Sequence, residues 1–358
     1  MEFFPTFFAV LVYLLSLFGL GPKNAEPRAT APFQGSGFVD PSPSSIGEIM
    51  AFYAERYRND PAPRRSLGNA TGLTTVLIFG PALKATGELY GSLDRTTIAQ
   101  ARGRHLKVLA TIHNAGSGRF DRGTVHAFLQ NPAARTRAIE EIQKLLSTYG
   151  LDGVCLDLEN VPPEDREALT AFFRDLSSRL RPRYFLVAAC LPAKTGDDSK
   201  TAWMGAYDFA ALGPYLDLAV LMAYDEHRPD GPPGPVASLG WVEKVVRYAV
   251  TTLPRQKIVL GLPAYGYVWG PKNGRAITHA GALSLLAQHG LRSLWDATAQ
   301  VPYFRYTQAG TTYAVWYEDK RSGMAKAALA RRYGLRGVAV WRLGYEDPEL
   351  WKTLEFPE

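Results

Sequence analysis

The chain has 358 residues, 46% of them hydrophobic and 21% charged, with a net charge of +6 and a pI near 9.2. These are ordinary globular values, enough for one large domain or two smaller ones with a sizeable core. No Lys/Arg cluster is interleaved with aromatics, which argues against a nucleic-acid partner, whereas a diffuse positive charge suits an anionic polymer or wall surface.

Phe3 to Gly21 carries no charge and is long enough to span a bilayer. Residues 1–22 therefore read as a signal peptide or membrane anchor, and 23–34 as a polar, Pro-containing linker. Ala29-Thr30-Ala31 resembles a small-residue cleavage site, although Glu2 is the only charge ahead of the apolar run. Export is expected either way, with residues 3–21 a candidate membrane tether and the protein extracellular.

From Gly35 the chain alternates. Gly35 to Val39 reads as a first strand, followed by a helix from Ser44 or Ser45 to about Tyr57. Strands are expected at Thr74–Phe79 and Leu106–Ile112, with a helix over Thr96–Arg104 between them. Pro132 opens an amphipathic helix to Tyr149, and a second follows Pro163. Further strands are Tyr184–Cys190, Leu216–Met222, Lys257–Leu262 and Gly337–Trp341. Helices at Asp208–Leu212, Ser238–Thr252 and Met324–Tyr333 lie between them. Eight short apolar strands separated by helices predict an α/β fold, a (β/α)8 TIM barrel over residues 35–358, with catalytic groups at strand C-termini. An open doubly wound sheet is the alternative, but no Gly-rich phosphate loop follows an early strand. Residues 265–321 break the repeat and predict a small α+β insertion between strand 7 and its helix.

The organising stretch is Leu151-Asp152-Gly153-Val154-Cys155-Leu156-Asp157-Leu158-Glu159-Asn160. Its period of two makes it a strand, with Cys155, Asp157 and Glu159 on one face and Val154, Leu156 and Leu158 on the other. Two carboxylates on one face of a strand end must be solvated, paired or used. Cys155 and Cys190 form no disulfide framework; both fall in strands and read as buried thiols, with a single disulfide between them left open. The six histidines show no metal-ligand spacing and there is no CxxC, so neither a metal nor a cofactor is expected.

Asp152-Gly153-x-x-x-Asp157-x-Glu159 resembles the signature of family 18 glycoside hydrolases, the chitinase-like enzymes. Met222-Ala223-Tyr224-Asp225 resembles their second motif, and Trp341 their pocket-floor tryptophan. Glu159-Asn160-Val161-Pro162-Pro163, Tyr224-Asp225-Glu226-His227 and Gly261-Leu262-Pro263-Ala264-Tyr265-Gly266-Tyr267 are further similar to the spore-cortex N-acetylglucosaminidase branch.

The resemblance implies a retaining, substrate-assisted glycosidase, in which the N-acetyl carbonyl of the sugar attacks the anomeric carbon. Glu159 would be the general acid and base. Asp157 would orient the acetamide and raise the pKa of Glu159. Tyr224 would donate to the acetamide oxygen, Asp225 would bind sugar hydroxyls and Trp341 would lie under the ring. Tyr265, Asn114 and Glu226 are further substrate-binding candidates, against the simpler readings of packing tyrosine, turn residue and solvated loop. Many chitinases carry Asp where this chain has Cys155, which predicts an altered pH profile. The expected substrate is a polysaccharide, cleaved at β-1,4 linkages after N-acetylglucosamine in spore-cortex or cell-wall peptidoglycan, by a monomer. The alternatives are chitin or glycan hydrolysis, and a non-catalytic sugar-binding barrel.

Overall fold

The computed structural model describes residues 47–57, 59–116 and 119–355. Eight parallel strands form the barrel: β1 (Glu48–Tyr53), β2 (Thr75–Leu83), β3 (Lys107–His113), β4 (Gly153–Asp157), β5 (Leu186–Pro192), β6 (Leu218–Met222), β7 (Ile258–Pro263) and β8 (Gly337–Trp341). Each pairs with the strands next to it in sequence, and the sheet closes through β1 against both β8 and β2. The fold is the expected TIM barrel.

The first strand corrects the sequence reading. The segment Gly35–Val39 lies outside the described residues, and the stretch from Glu48 to Tyr53 is a strand where a helix was expected. All six of its residues are buried, between β8 on one side and β2 on the other. A short continuous apolar run has no periodicity that separates buried strand from buried helix, so tertiary pairing decides. Two helices, Pro61–Asn69 and Arg122–Gln130, also went unread. The helix before β8 begins earlier than expected, at Lys320, because Asp319 and Ser322 form a reciprocal capping box there.

The period of two in β4 is realised. Val154, Leu156 and Leu158 join the core between sheet and helices. Cys155 packs inside the barrel with Met50, Phe52, Leu77, Leu109, Cys190, Val220, Val259 and Ala339. This apolar plug fills the middle of the barrel, separating the carboxylates at the C-terminal rim from a cluster of Glu48 and Thr75 at the other end. Gly153 is required by closeness: a Cβ there would stand 2.3 Å from the carbonyl oxygen of Leu186 on β5. Asp152 braces the start of β4, accepting from the backbone N–H of Val108 at 2.6 Å and pairing with Arg102 at 2.8 Å.

Between β7 and the helix Lys320–Arg332, a five-stranded antiparallel sheet covers part of Tyr265–Trp316. The helix His279–Gln288 packs on it. Val268, Ile277, Phe304, Tyr306, Val315 and Tyr317 belong to its separate small core. A single residue, Ala264, separates the end of β7 from the strand Tyr265–Trp269, so this unit rises directly from the C-terminal rim of the barrel.

Candidate active site

At that rim lies a cavity of about 560 Å³. Asp157, Glu159, Tyr224, Asp225, Tyr265 and Trp341 line it. Elements far apart in sequence converge here because parallel strands of a barrel all end on one face. Gly261 leaves room for the ring of Tyr224, whose Cε1 would be 3.0 Å from a Cβ at that position.

Asp157 is buried, and its Oδ1 has no hydrogen-bond partner among the described residues. Burial pushes its pKa up to about 7, while a hydrogen bond from the Cys190 thiol opposes the rise. Beneath it, the Cys155 and Cys190 sulfurs are 3.6 Å apart, both as free, buried thiols.

Glu159 follows two residues later, partly open to the cavity. Its pKa is raised well above the ordinary carboxylate value, first by loss of solvent and then by the charges of Asp157 and Asp225, with Arg228 opposing. Desolvation, more than the neighbouring carboxylate, raises it.

Asp225 sits at φ 62°, a left-handed conformation that turns the chain sharply after β6. Its Oδ1 accepts hydrogen bonds from the hydroxyls of Tyr265 at 2.5 Å and Tyr267 at 2.7 Å. Burial raises its pKa and the two tyrosines pull it back. Burial holds the Tyr224 hydroxyl well above its usual pKa, so it remains a donor.

Trp341 meets Phe52 and Phe79 edge to face, with ring centroids 5.2 and 5.7 Å away. The Trp341–Arg342 peptide bond is cis.

Two sequence candidates stand elsewhere. Asn114 is only 2% exposed and does not line the cavity. Its Oδ1 accepts from the backbone N–H of Glu159 at 2.8 Å, and its Nδ2 donates to the carbonyls of Glu159 at 2.9 Å and Asp121 at 3.2 Å. It is neither a groove residue nor a plain turn residue, because its amide is fully engaged with backbone. The carboxylate of Glu226 accepts from the backbone N–H of Ser238 at 2.7 Å and its hydroxyl at 3.0 Å, fixing the loop after β6. Glu226 is also outside the cavity lining.

Phe52, Phe79 and His113 were missed and do line the cavity. For Phe79 and His113 the signal was available, as each has inward parity at the end of a strand the sequence predicts, whereas Phe52 falls in the stretch read as a helix. His113 stacks on Phe79 with centroids 4.4 Å apart. Its Nε2 meets the Gly80 carbonyl at 3.0 Å, and the Ala115 N–H donates to its Nδ1 at 3.1 Å. Burial lowers its pKa to about 4, so it is a neutral wall residue with Nε2 protonated. Among the described residues no cluster suited to a metal ion occurs.

A closed parallel barrel whose strand ends gather carboxyls of raised pKa, a tyrosine hydroxyl and aromatic faces in one cleft defines a glycosidase of the barrel class. Residues 48–346 match the glycosyl hydrolases of family 18, and the chain belongs to that family. It is 32% identical over 305 residues to the cortical fragment-lytic enzyme of Bacillus cereus, an alignment covering 81% of this chain and 70% of that protein. The spore cortex-lytic enzyme SleL of Bacillus megaterium superposes with a TM-score of 0.81 at 30% identity, covering 88% of this chain and 75% of that one. A chitinase from Chromobacterium violaceum superposes with a TM-score of 0.80 at 29% identity, covering 86% and 98% respectively.

Proposed function

We propose that this glycosidase hydrolyses β-1,4 linkages after N-acetylglucosamine in peptidoglycan of the spore cortex or cell wall, by a retaining, substrate-assisted route. The observation that carries the reading is Glu159. It lines the cleft beside Asp157, two residues back on the same inward face, and loss of solvent raises its pKa well above the ordinary carboxylate value. Protonated Glu159 gives its proton to the leaving glycosidic oxygen. The acetamide carbonyl of the substrate attacks the anomeric carbon, forming an oxazolinium ion. Asp157 accepts from the acetamide N–H and balances the developing positive charge. Tyr224 donates to the acetamide oxygen, Asp225 holds sugar hydroxyls and Trp341 carries the apolar face of the ring. Ionised Glu159 then takes a proton from water, whose oxygen opens the oxazolinium.

The names of the SleL and cortical fragment-lytic relatives support cortex as the substrate. Chitin is the second reading, favoured by the near-complete coverage of the Chromobacterium chitinase. The protein acts as a monomer outside the cytoplasm. Residues 3–21 either hold it at a membrane or direct its export; no helix among the described residues is long and apolar enough to cross a bilayer. A mature N-terminus near Pro32, read by mass spectrometry, would mean release.

The test is product analysis of purified peptidoglycan, including cortex with muramic lactam, after treatment with native protein and with Glu159→Gln. New reducing-end N-acetylglucosamine from native protein alone supports the reading. New reducing-end muramic acid overturns the linkage, and silence from both proteins with cleavage of chitin oligomers by the native one overturns the substrate.

A further inference from the structure

Two arginines stand at the mouth of the cleft on different walls. Arg119 comes from the short hairpin after β3, which pairs Ala115–Gly116 with Arg119–Phe120. Arg275 comes from the strand Arg275–Thr278 of the insertion. Both side chains are exposed, and among the described residues neither forms an ion pair or a hydrogen bond. This sets them apart from the other charges at the rim. Arg228 pairs with Asp230 at 3.5 Å, and Asp94 pairs with Arg64 at 2.7 Å. Glu55 accepts from the Tyr53 hydroxyl at 3.1 Å and the Asn59 N–H at 2.9 Å. The acids Glu55 and Asp94 follow β1 and β2, so the cationic walls are those built by the β3 hairpin and the insertion.

A guanidinium is always charged and presents a planar fork that fits a carboxylate. Chitin is neutral along its whole length and offers no such group. Peptidoglycan alternates N-acetylglucosamine with N-acetylmuramic acid. When N-acetylglucosamine occupies the cleavage position, the sugars on both sides of it are muramic. Each muramic unit that is not cyclised to the lactam carries a carboxylate, either on a free lactyl group or on its stem peptide. One unpaired cation on each of two walls matches a substrate with a carboxylate on each side of the cleaved sugar.

We infer that Arg119 and Arg275 are specificity residues that bind carboxylates of the muramic units on either side of the N-acetylglucosamine whose linkage is cleaved, so that this glycosidase prefers acidic glycan over neutral glycan. The inference rests on the peptidoglycan reading above and deepens it. The lactyl group and the stem peptide present the same chemistry, and the test separates them.

Three glycan fragments of equal length serve as substrates. One is peptide-free with free lactyl carboxylates, one carries stem peptides on those groups, and one has its lactyl carboxylates converted to primary amides. Initial rates are measured for native protein, Arg119→Gln, Arg275→Gln and the double variant, at low and high salt. Exposed charge pairs of this kind are worth about two- to fivefold each, so the double variant should lose about tenfold in kcat/KM on an acidic fragment relative to the amide. The native preference should weaken with salt. A loss on the peptide-free fragment identifies the lactyl carboxylate as the partner, and a loss only on the peptide-bearing fragment identifies the stem peptide. A double variant that keeps the native acid-to-amide ratio overturns the inference while leaving peptidoglycan hydrolysis standing. Native protein that cleaves chitin oligomers and none of the three fragments overturns the underlying reading, and the inference with it. Equal melting temperatures of the four proteins verify that only the surface charge has changed.

Discussion

The side-chain amide of Asn114 holds the backbone of Glu159 in both directions, accepting from its N–H at 2.8 Å and donating to its carbonyl at 2.9 Å. Glu159 lies just past the end of β4, where sheet hydrogen bonds no longer fix it. Asn114 lies just past β3, the neighbouring strand, and replaces the missing ladder rungs. The Tyr207 hydroxyl, donating to the Leu158 carbonyl, secures the residue between the two site acids.

Asn114→Ala is therefore expected to lower kcat by about ten- to a hundredfold with a smaller change in KM, and to cost about 1–3 kcal/mol of stability, since it leaves a buried N–H and carbonyl unpaired. Asn114→Asp keeps the acceptor and loses the donor, and should fall between the two. Steady-state kinetics together with urea unfolding checks this. A variant with native kcat would show that Glu159 is held by other means.

The buried acids should make the native protein less stable as pH rises. The Asp157 carboxyl has an ordinary value of 3.8 and a folded value of about 7, so between those limits the unfolded chain sheds its proton first. Stability from this group is greatest at low pH and declines up to about pH 7. Asp157→Asn removes the decline and should be more stable than the native protein at pH 8, by roughly 2–4 kcal/mol at most, with the gap closing toward pH 4. Glu159→Gln should behave with the same sign. Denaturant melts at both pH values test this, and a constant gap would contradict it.

Tyr265 and Tyr267 both donate to one oxygen of Asp225. Replacing either with Phe removes a donor that favours the ionised form, so the Asp225 pKa should rise further. The stability cost should be about 1–3 kcal/mol at pH 8 and become smaller as pH falls and the carboxyl takes up its proton. Because the two hydroxyls share an acceptor, the double variant should depart from the sum of the singles. Equal losses at high and low pH would argue that the hydroxyls matter only for packing.

Cys155→Asp places a second carboxyl in a fully buried position, next to the Cys190 thiol and two residues from Asp157. Two carboxyls in one enclosed site share protons and move each other's titration. The pH profile of kcat/KM should therefore change, with a stability loss of roughly 2 kcal/mol or more at pH 8 from the unpaired buried charge. Superimposable pH profiles for this variant and the native protein would refute the link between Cys155 and the pH profile.

Much of this molecule was written in the chain by local pattern. The period of two from Val154 to Glu159 decided which side chains face inward, because successive side chains on a strand must alternate. The alternation of strands and helices decided the barrel, because parallel strands require crossovers and both faces must be covered. The inward placement of Asp157 and Glu159 followed from those two facts, as did that of Trp341 at the end of β8. Other features belong to the tertiary structure alone. Glu48 to Tyr53 became a strand only because β8 and β2 offer it partners on both sides. Asn114 found the backbone of Glu159, 45 residues away, and Tyr265 and Tyr267 found Asp225, because barrel closure gathers strand ends that no local period relates. The protonation of the acids was also decided there, since a carboxyl titrates according to the solvent and charges around it, and these exist only once the cleft is closed.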